Sequence, residues 1–180
     1  MAPSISEFNL LVSTPRRMES KGCAEIWFLL GEIGDRESTV EETGISGLIM
    51  AKTVLDPLKA IEGLRQLLEE RPQEFRYTLK AVPIEVVTRT RLDEIEKEAV
   101  ALSSKILEGE TFRITVEKRH TELSARAIIE AIAENIKRKV NLDNPDKSVV
   151  VEVLGGLTGI SVVKPTDVLS VVKEKISSDA

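Results

Sequence analysis

Gly109-Glu-Thr-Phe-Arg-Ile-Thr-Val-Glu-Lys-Arg-His120 decides how the C-terminal half folds. Phe112, Ile114 and Val116 alternate with Arg113, Thr115 and Glu117, the period-two pattern of a strand with one covered and one open face. Lys118, Arg119 and His120 follow at once, so the strand ends in cations. Downstream, a helix from about Ser124 sets Ile128, Ile132 and Ile136 inward with Ile129 beside them. It is expected to end in Lys137-Arg138-Lys139, where cations suit the negative helix terminus. Asn141 to Asp146 is rich in turn formers. Val149 to Leu154 and Ile160 to Val163 are β-branched runs joined through Gly155 and Gly156, which predicts a hairpin near the sheet centre. Upstream, Asp93 is expected to cap a helix whose stripe is Ile95, Ala99, Leu102 and Ile106, with Gly109 ending it. The tail from Thr166, with Val168, Leu169, Val171 and Val172, reads as a last strand or a helix, and Ser177 to Ala180 as a fraying end.

The N-terminal half follows a second pattern. Phe8 to Val12 is a strand bounded by Ser13, Thr14 and Pro15. Cys23, Ile26, Trp27 and Leu30 fall at i, i+3, i+4 and i+7, which predicts a helix burying those four and ending at Gly34. Thr39 to Thr43 and Leu48 to Leu55, split by Gly44 and Gly47, form a hairpin signature. Asp56-Pro57 starts a second helix with the stripe Leu58, Ile61, Leu64 and Leu68, and Pro72 lies beyond its end. Phe75, Tyr77, Leu79 and Ala81 then alternate with Arg76, Thr78 and Lys80, which predicts a strand whose open face carries Arg76 and Lys80. The order β-α-β-β-α-β is the ferredoxin-like pattern, and the fold class is α+β. Val82 to Arg91, interrupted by Pro83, reads as a linker with some extended structure. The expected domains are therefore 7–88, ferredoxin-like, and 89–175.

Composition narrows the function. Of 180 residues, 42% are hydrophobic and 31% charged, and no uncharged run reaches the roughly 18 residues of a membrane helix, so no membrane is expected. Met-Ala-Pro-Ser-Ile-Ser-Glu7 has neither a basic nor an apolar signal region, so the expected location is cytoplasmic. One cysteine excludes an internal disulfide and a multi-cysteine metal site, and Cys23 on an apolar stripe reads as a core residue. The single His120 argues against a histidine-rich metal site or a Ser-His-Asp triad. Gly155-Gly156 lies in a hairpin rather than between a strand and a helix, so it is no phosphate loop. Ser13-Thr14-Pro15-Arg16-Arg17 has the arginines of an acylphosphatase-type cradle but not its glycines. Neither a catalytic residue nor a cofactor is expected.

The net charge of −5, from 25 basic and 30 acidic residues, argues against a bulk electrostatic nucleic-acid binder. A local patch remains open, since charges are screened beyond about 8–10 Å. Four Phe, one Tyr and one Trp are too few for several stacked single-stranded bases. The remaining signal is Lys118, Arg119 and His120, placed just before a helix N-terminus that can itself bind phosphate. Arg126 lies in the first turns of that helix, where a cation opposes the dipole, so an anionic partner accounts for it better.

Gly109-Glu-Thr-Phe-Arg-Ile-Thr-Val-Glu-Lys-Arg119, a helix, Val140-Asn-Leu-Asp-Asn-Pro-Asp146 and Val149-Val-Val-Glu-Val-Leu-Gly155 together resemble a THUMP domain. THUMP domains bind RNA in tRNA-modifying proteins: methyltransferases, thiouridine synthetases, pseudouridine synthases and an acetylation adaptor. Leu29-Leu-Gly-Glu-Ile-Gly34, Thr43-Gly-Ile-Ser-Gly-Leu48 and Glu74-Phe-Arg-Tyr-Thr-Leu79 look like the archaeal relatives of the eukaryotic THUMP adaptor for tRNA N4-acetylcytidine formation. The similarity runs from about Phe8 to Pro165, and the stretch after Pro165 is too short for a catalytic domain. The chain departs from the family at Val149, Val150 and Val151, where a basic residue is frequent, and at Pro15-Arg-Arg-Met-Glu19. The resemblance implies a non-catalytic protein that binds the tRNA acceptor stem and 3′ end, not DNA, and serves an RNA acetyltransferase. The implied contacts are Lys118, Arg119, His120, Arg126, Arg76 and Lys80.

Overall fold

In the computed structural model, which describes residues 7–179, strand alternation sets up the first half. Strand β1 (Leu10–Ser13) turns Leu10 and Val12 into a core and Leu11 to the other face. It is followed by α1 (Glu19–Glu32), the hairpin β2 (Thr39–Glu42) and β3 (Leu48–Lys52), α2 (Pro57–Glu70) and β4 (Lys80–Pro83). These strands lie in the order β4-β1-β3-β2, each pair antiparallel. Ile26, Leu29 and Leu30 of α1 and Ala60, Ile61, Leu64, Leu67 and Leu68 of α2 share one core with Val12, Ile49, Ala51 and Ala81. Both helices therefore cover the same sheet face. Asp56 caps α2 by accepting from the amides of Leu58 and Lys59, with Pro57 at the first turn. Such a cap contributes about 1 kcal/mol.

The second half is a mixed sheet in the order β5-β9-β8-β6-β7. Its elements are β5 (Val86–Arg89), α3 (Leu92–Leu102), β6 (Thr111–Arg119), α4 (Ala125–Ala133), β7 (Lys139–Val140), β8 (Lys147–Leu154) and β9 (Leu157–Val163). β6 runs parallel to β7 and β8, while β8-β9 and β9-β5 are antiparallel. Val149, Val151, Val153, Ile160 and Val162 pack with Ile95 and Ala99 of α3 and Ile128 and Ile132 of α4. The Val-rich run reads as it does because β8 is central and buried on both faces. The Gly155-Gly156 turn joins it to β9, with Gly155 at φ 62. The tail forms both elements the sequence left open. β10 (Leu169–Ser170) pairs antiparallel with β4, and α5 (Val171–Asp179) follows. Residues 1–6 and 180 lie outside the described chain.

Five expectations are corrected. The strand anticipated over Phe75 to Ala81 is only Lys80–Pro83, because the Glu25 carboxylate accepts from the amides of Arg76, Tyr77 and Thr78 and from the Thr78 hydroxyl. Those amides are thereby withdrawn from any ladder. Val82 to Arg91 is the extended linker that the sequence suggests, passing from β4 to β5, which belong to different sheets. Within it the compact units divide after Ile84, four residues before the expected 88/89. One runs through Ile84 and regains the chain from Thr166, where Leu169 and Val171 join its core; the other is Glu85–Pro165. Trp27 is not on the buried face of α1 but 57% exposed. α4 stops at Ala133, so Lys137, Arg138 and Lys139 lie beyond it. Finally, α3 carries no Asp93 cap. Arg91 precedes the helix, Asp93 sits in its first turn, and a 3-10 turn at Ser103–Lys105 leads to buried Ile106.

Candidate nucleic-acid interface

Strand alternation separates the two cations that the sequence places side by side. Lys118 shares the parity of Ile114 and Val116, which face the helices, and is exposed at the strand end. Its Nζ donates to the Leu123 carbonyl at 3.3 Å, which holds it beside the start of α4. Arg119 turns to the opposite face, where its Nη1 lies 2.9 Å from Oε2 of Glu152 on neighbouring β8. Glu152 is 3% exposed, so Arg119 is tied to a buried carboxylate rather than left as a free surface cation.

His120 follows in the left-handed region, φ 54, and is exposed. The Thr121 hydroxyl accepts from the Leu123 amide, and Ser124 caps α4 by accepting from the Ala127 amide at 2.9 Å. Arg126 lies in the first turn and is paired with Glu130 at 2.8 Å, four residues on. The cation that seemed to require an anionic partner has an intrahelical one, although 86% of its side chain remains exposed. Lys80 stands on the sheet face away from the helices, opposite Ser13 and Ser170. Arg76 is exposed on the loop that Glu25 clamps, so it and Lys80 do not share a strand face.

A second basic group, which the sequence reading assigned to a helix terminus, lies at the other end of β6. Lys137, Arg138 and Lys139 line a cleft of about 520 Å³ with Glu108, Gly109, Glu110 and Thr111. Arg138 is consumed by carbonyls, its Nε donating to Ile106 and Leu107 at 3.2 Å. Lys137 and Lys139 are exposed. Two nearby acids, Asp146 and Glu110, have internal partners. The Thr111 amide and hydroxyl hold Asp146 below the ordinary carboxylate range, and Lys147 followed by the Leu107 amide does the same for Glu110. The Asn144-Pro145-Asp146 turn thus has a structural role: its carboxylate, 2.8 Å from the Thr111 amide, ties the start of β8 to the start of β6. Thr111 to Arg119 is nine residues. At about 3.3 Å per residue, the two basic groups stand roughly 26 Å apart along one strand.

Among the described residues no group of three His, Cys, Asp or Glu could hold a metal ion, and no helix is long and apolar enough to cross a membrane. Cys23 is half-buried. Burial, then the carboxylates of Glu42, Glu41 and Glu19, push its thiol up to about 11.

A strand ending in Lys118 and Arg119, a capped α4, the Asp146 turn and the buried β8-β9 hairpin coincide with one family model, which matches residues 89–163. Residues 89–163 match the THUMP domain. Over 153 residues it is 25% identical to THUMP domain-containing protein 1 of Mus musculus, covering 74% of this chain and 44% of that protein. It therefore spans less than half the length of the curated relatives it matches. Among solved structures it resembles TrmN from Thermus thermophilus, with a TM-score of 0.61, 18% identity, and coverage of 87% of this chain and 45% of that one. It also resembles a 4-thiouridine synthetase in a complex with RNA and bound ATP, with a TM-score of 0.54, 16% identity, and coverage of 88% and 42%. At these identities the two structures establish the fold.

Proposed function

We propose that this protein binds the acceptor stem and 3′ end of tRNA and acts, without catalysis of its own, as an adaptor that presents the RNA to a tRNA cytidine acetyltransferase in the cytoplasm. The observation that carries the RNA reading is the THUMP domain, in which Lys118 and His120 are exposed beside the capped N-terminus of α4. A helix start offers free amides and a positive dipole end to a phosphate, and a cation beside it adds charge. Lys137 and Lys139 supply a second phosphate contact at the far end of β6. A grip on backbone and shape fixes register without reading bases, so a separate enzyme can act on a nucleotide elsewhere in the same RNA. The first unit, with strand order β4-β1-β3-β2 and both helices on one face, is the ferredoxin-like companion of this domain.

The acetylation assignment rests on the likeness of the N-terminal half to archaeal adaptor relatives. Service to another tRNA-modifying enzyme is the second reading, supported by the 4-thiouridine synthetase likeness. A small acylphosphatase-like enzyme on the first unit is disfavoured by the loop after β1: the Thr14 amide is spent on the Gly47 carbonyl rather than aimed at an anion site. The test is a shift assay on an acceptor-stem minihelix, followed by cytidine acetylation with and without the cognate acetyltransferase, acetyl-CoA and ATP. Minihelix binding with acetylation only when the enzyme is present is expected. Acetylcytidine formed by this chain alone, or no minihelix binding, overturns the proposal.

A further inference from the structure

α1 carries two apolar stripes, and only one is used by the core. Ile26, Leu29 and Leu30 face inward, while Ala24, Trp27, Phe28 and Gly31 fall at i, i+3, i+4 and i+7 on the opposite side. Trp27 is 57% and Phe28 41% exposed. With Gly31, Glu32 and Arg36 they line a groove of about 330 Å³. A Cβ at Gly31 would meet nothing within 4 Å, so the floor between the rings is open. Glu32 is engaged by Arg71 at 3.2 Å, whereas Arg36 is exposed and forms no ion pair or side-chain hydrogen bond among the described residues.

These features select the occupant. RNA is disfavoured because Glu32 lines the groove and acidic residues outnumber basic ones in the stretch through Ile84. A groove of this volume takes one or two aliphatic side chains, the scale of helix-in-groove recognition. We infer that it seats an amphipathic helix of the partner acetyltransferase, with aliphatic side chains over Gly31 between Trp27 and Phe28 and a carboxylate on Arg36. This inference rests on the adaptor reading above.

Trp27 is the only tryptophan in the chain, so it reports its own surroundings. The full chain, labelled with fluorotryptophan, would be titrated by fluorine NMR with purified cognate acetyltransferase and, separately, with tRNA, while calorimetry measures each affinity. A shift of the single resonance with the acetyltransferase and none with tRNA is expected. Trp27→Ala and Arg36→Glu should each weaken acetyltransferase binding about tenfold or more and leave tRNA affinity within about twofold. Acetyltransferase binding with an unmoved resonance and unchanged variants would overturn the docking inference and leave the adaptor reading intact. A resonance that moves with tRNA makes the groove an RNA surface and also overturns it. Concentration-dependent self-association abolished by Trp27→Ala would assign the groove to a second copy instead. If calorimetry finds no binding of acetyltransferase to the wild-type chain, the adaptor reading falls and the docking inference with it.

Discussion

Arg119 and Glu152 bridge two parallel strands, β6 and β8, with Nη1 2.9 Å from Oε2 and the carboxylate 3% exposed. A guanidinium in that position is part of the sheet's internal electrostatics before it is part of any interface. Arg119→Ala should destabilise the fold by about 2 kcal/mol, the scale of a hydrogen bond to a charged group. Urea midpoints measure this. An unchanged midpoint would mean the pair contributes nothing and would return Arg119 to the free surface.

Lys118→Ala should behave differently. Its only polar contact among the described residues is an exposed one to the Leu123 carbonyl at 3.3 Å, so stability should stay within about 0.5 kcal/mol. If Lys118 meets a phosphate, tRNA affinity should fall and the slope of log affinity against log salt should shrink by roughly one contact. The double change Lys137→Ala, Lys139→Ala should shrink it by roughly two. An unaltered slope in either variant removes that group from the RNA surface.

Glu25→Ala should cost about 3 kcal/mol, because one carboxylate satisfies the amides of Arg76, Tyr77 and Thr78 together with the Thr78 hydroxyl. Hydrogen exchange at those three amides should accelerate more than exchange in β4. Equal protection in wild type and variant would show that the loop holds without its clamp.

Asp35 makes the acid limb of stability testable. It is 1% exposed; burial alone would raise its pKa, but hydrogen bonds from the Thr53 hydroxyl and the Glu37 and Val54 amides outweigh burial and hold it below its ordinary value. A depressed folded pKa contributes stability that is complete above the ordinary value of 3.8 and is lost as pH falls through the folded one. Asp35→Asn should cost about 2 kcal/mol at neutral pH and flatten the decline below pH 4. Urea midpoints across pH 2 to 7 measure both effects, and parallel curves for the two proteins would refute the assignment.

Cys23, with its thiol pushed up to about 11, should be almost wholly protonated at pH 8. Alkylation by iodoacetamide should be much slower than for a small free thiol of ordinary pKa, and should rise steeply only in strong alkali. Matching rates at pH 8 would place the thiol in an ordinary environment.

Local periodicity determined a great deal here. The helix cap at Asp56-Pro57, the hairpins at Gly44–Gly47 and Gly155-Gly156, and the alternating strand before Lys118 each depend on neighbours within a few residues. All were legible from residue order alone. So were the THUMP pattern and the position of its basic strand end. What needed the tertiary structure was every question about a partner far along the chain. Phe75 to Thr78 alternates like a strand, yet its amides are claimed by Glu25, some fifty positions earlier. Trp27 fits an apolar stripe, yet α1 has two such stripes and the core could cover only one. Arg119 reads as a free cation, yet Glu152, on a neighbouring strand, holds it. Lys118 and Arg119 are adjacent in sequence and opposed in space, because consecutive strand side chains point to opposite faces and only the sheet's packing decides what each face meets.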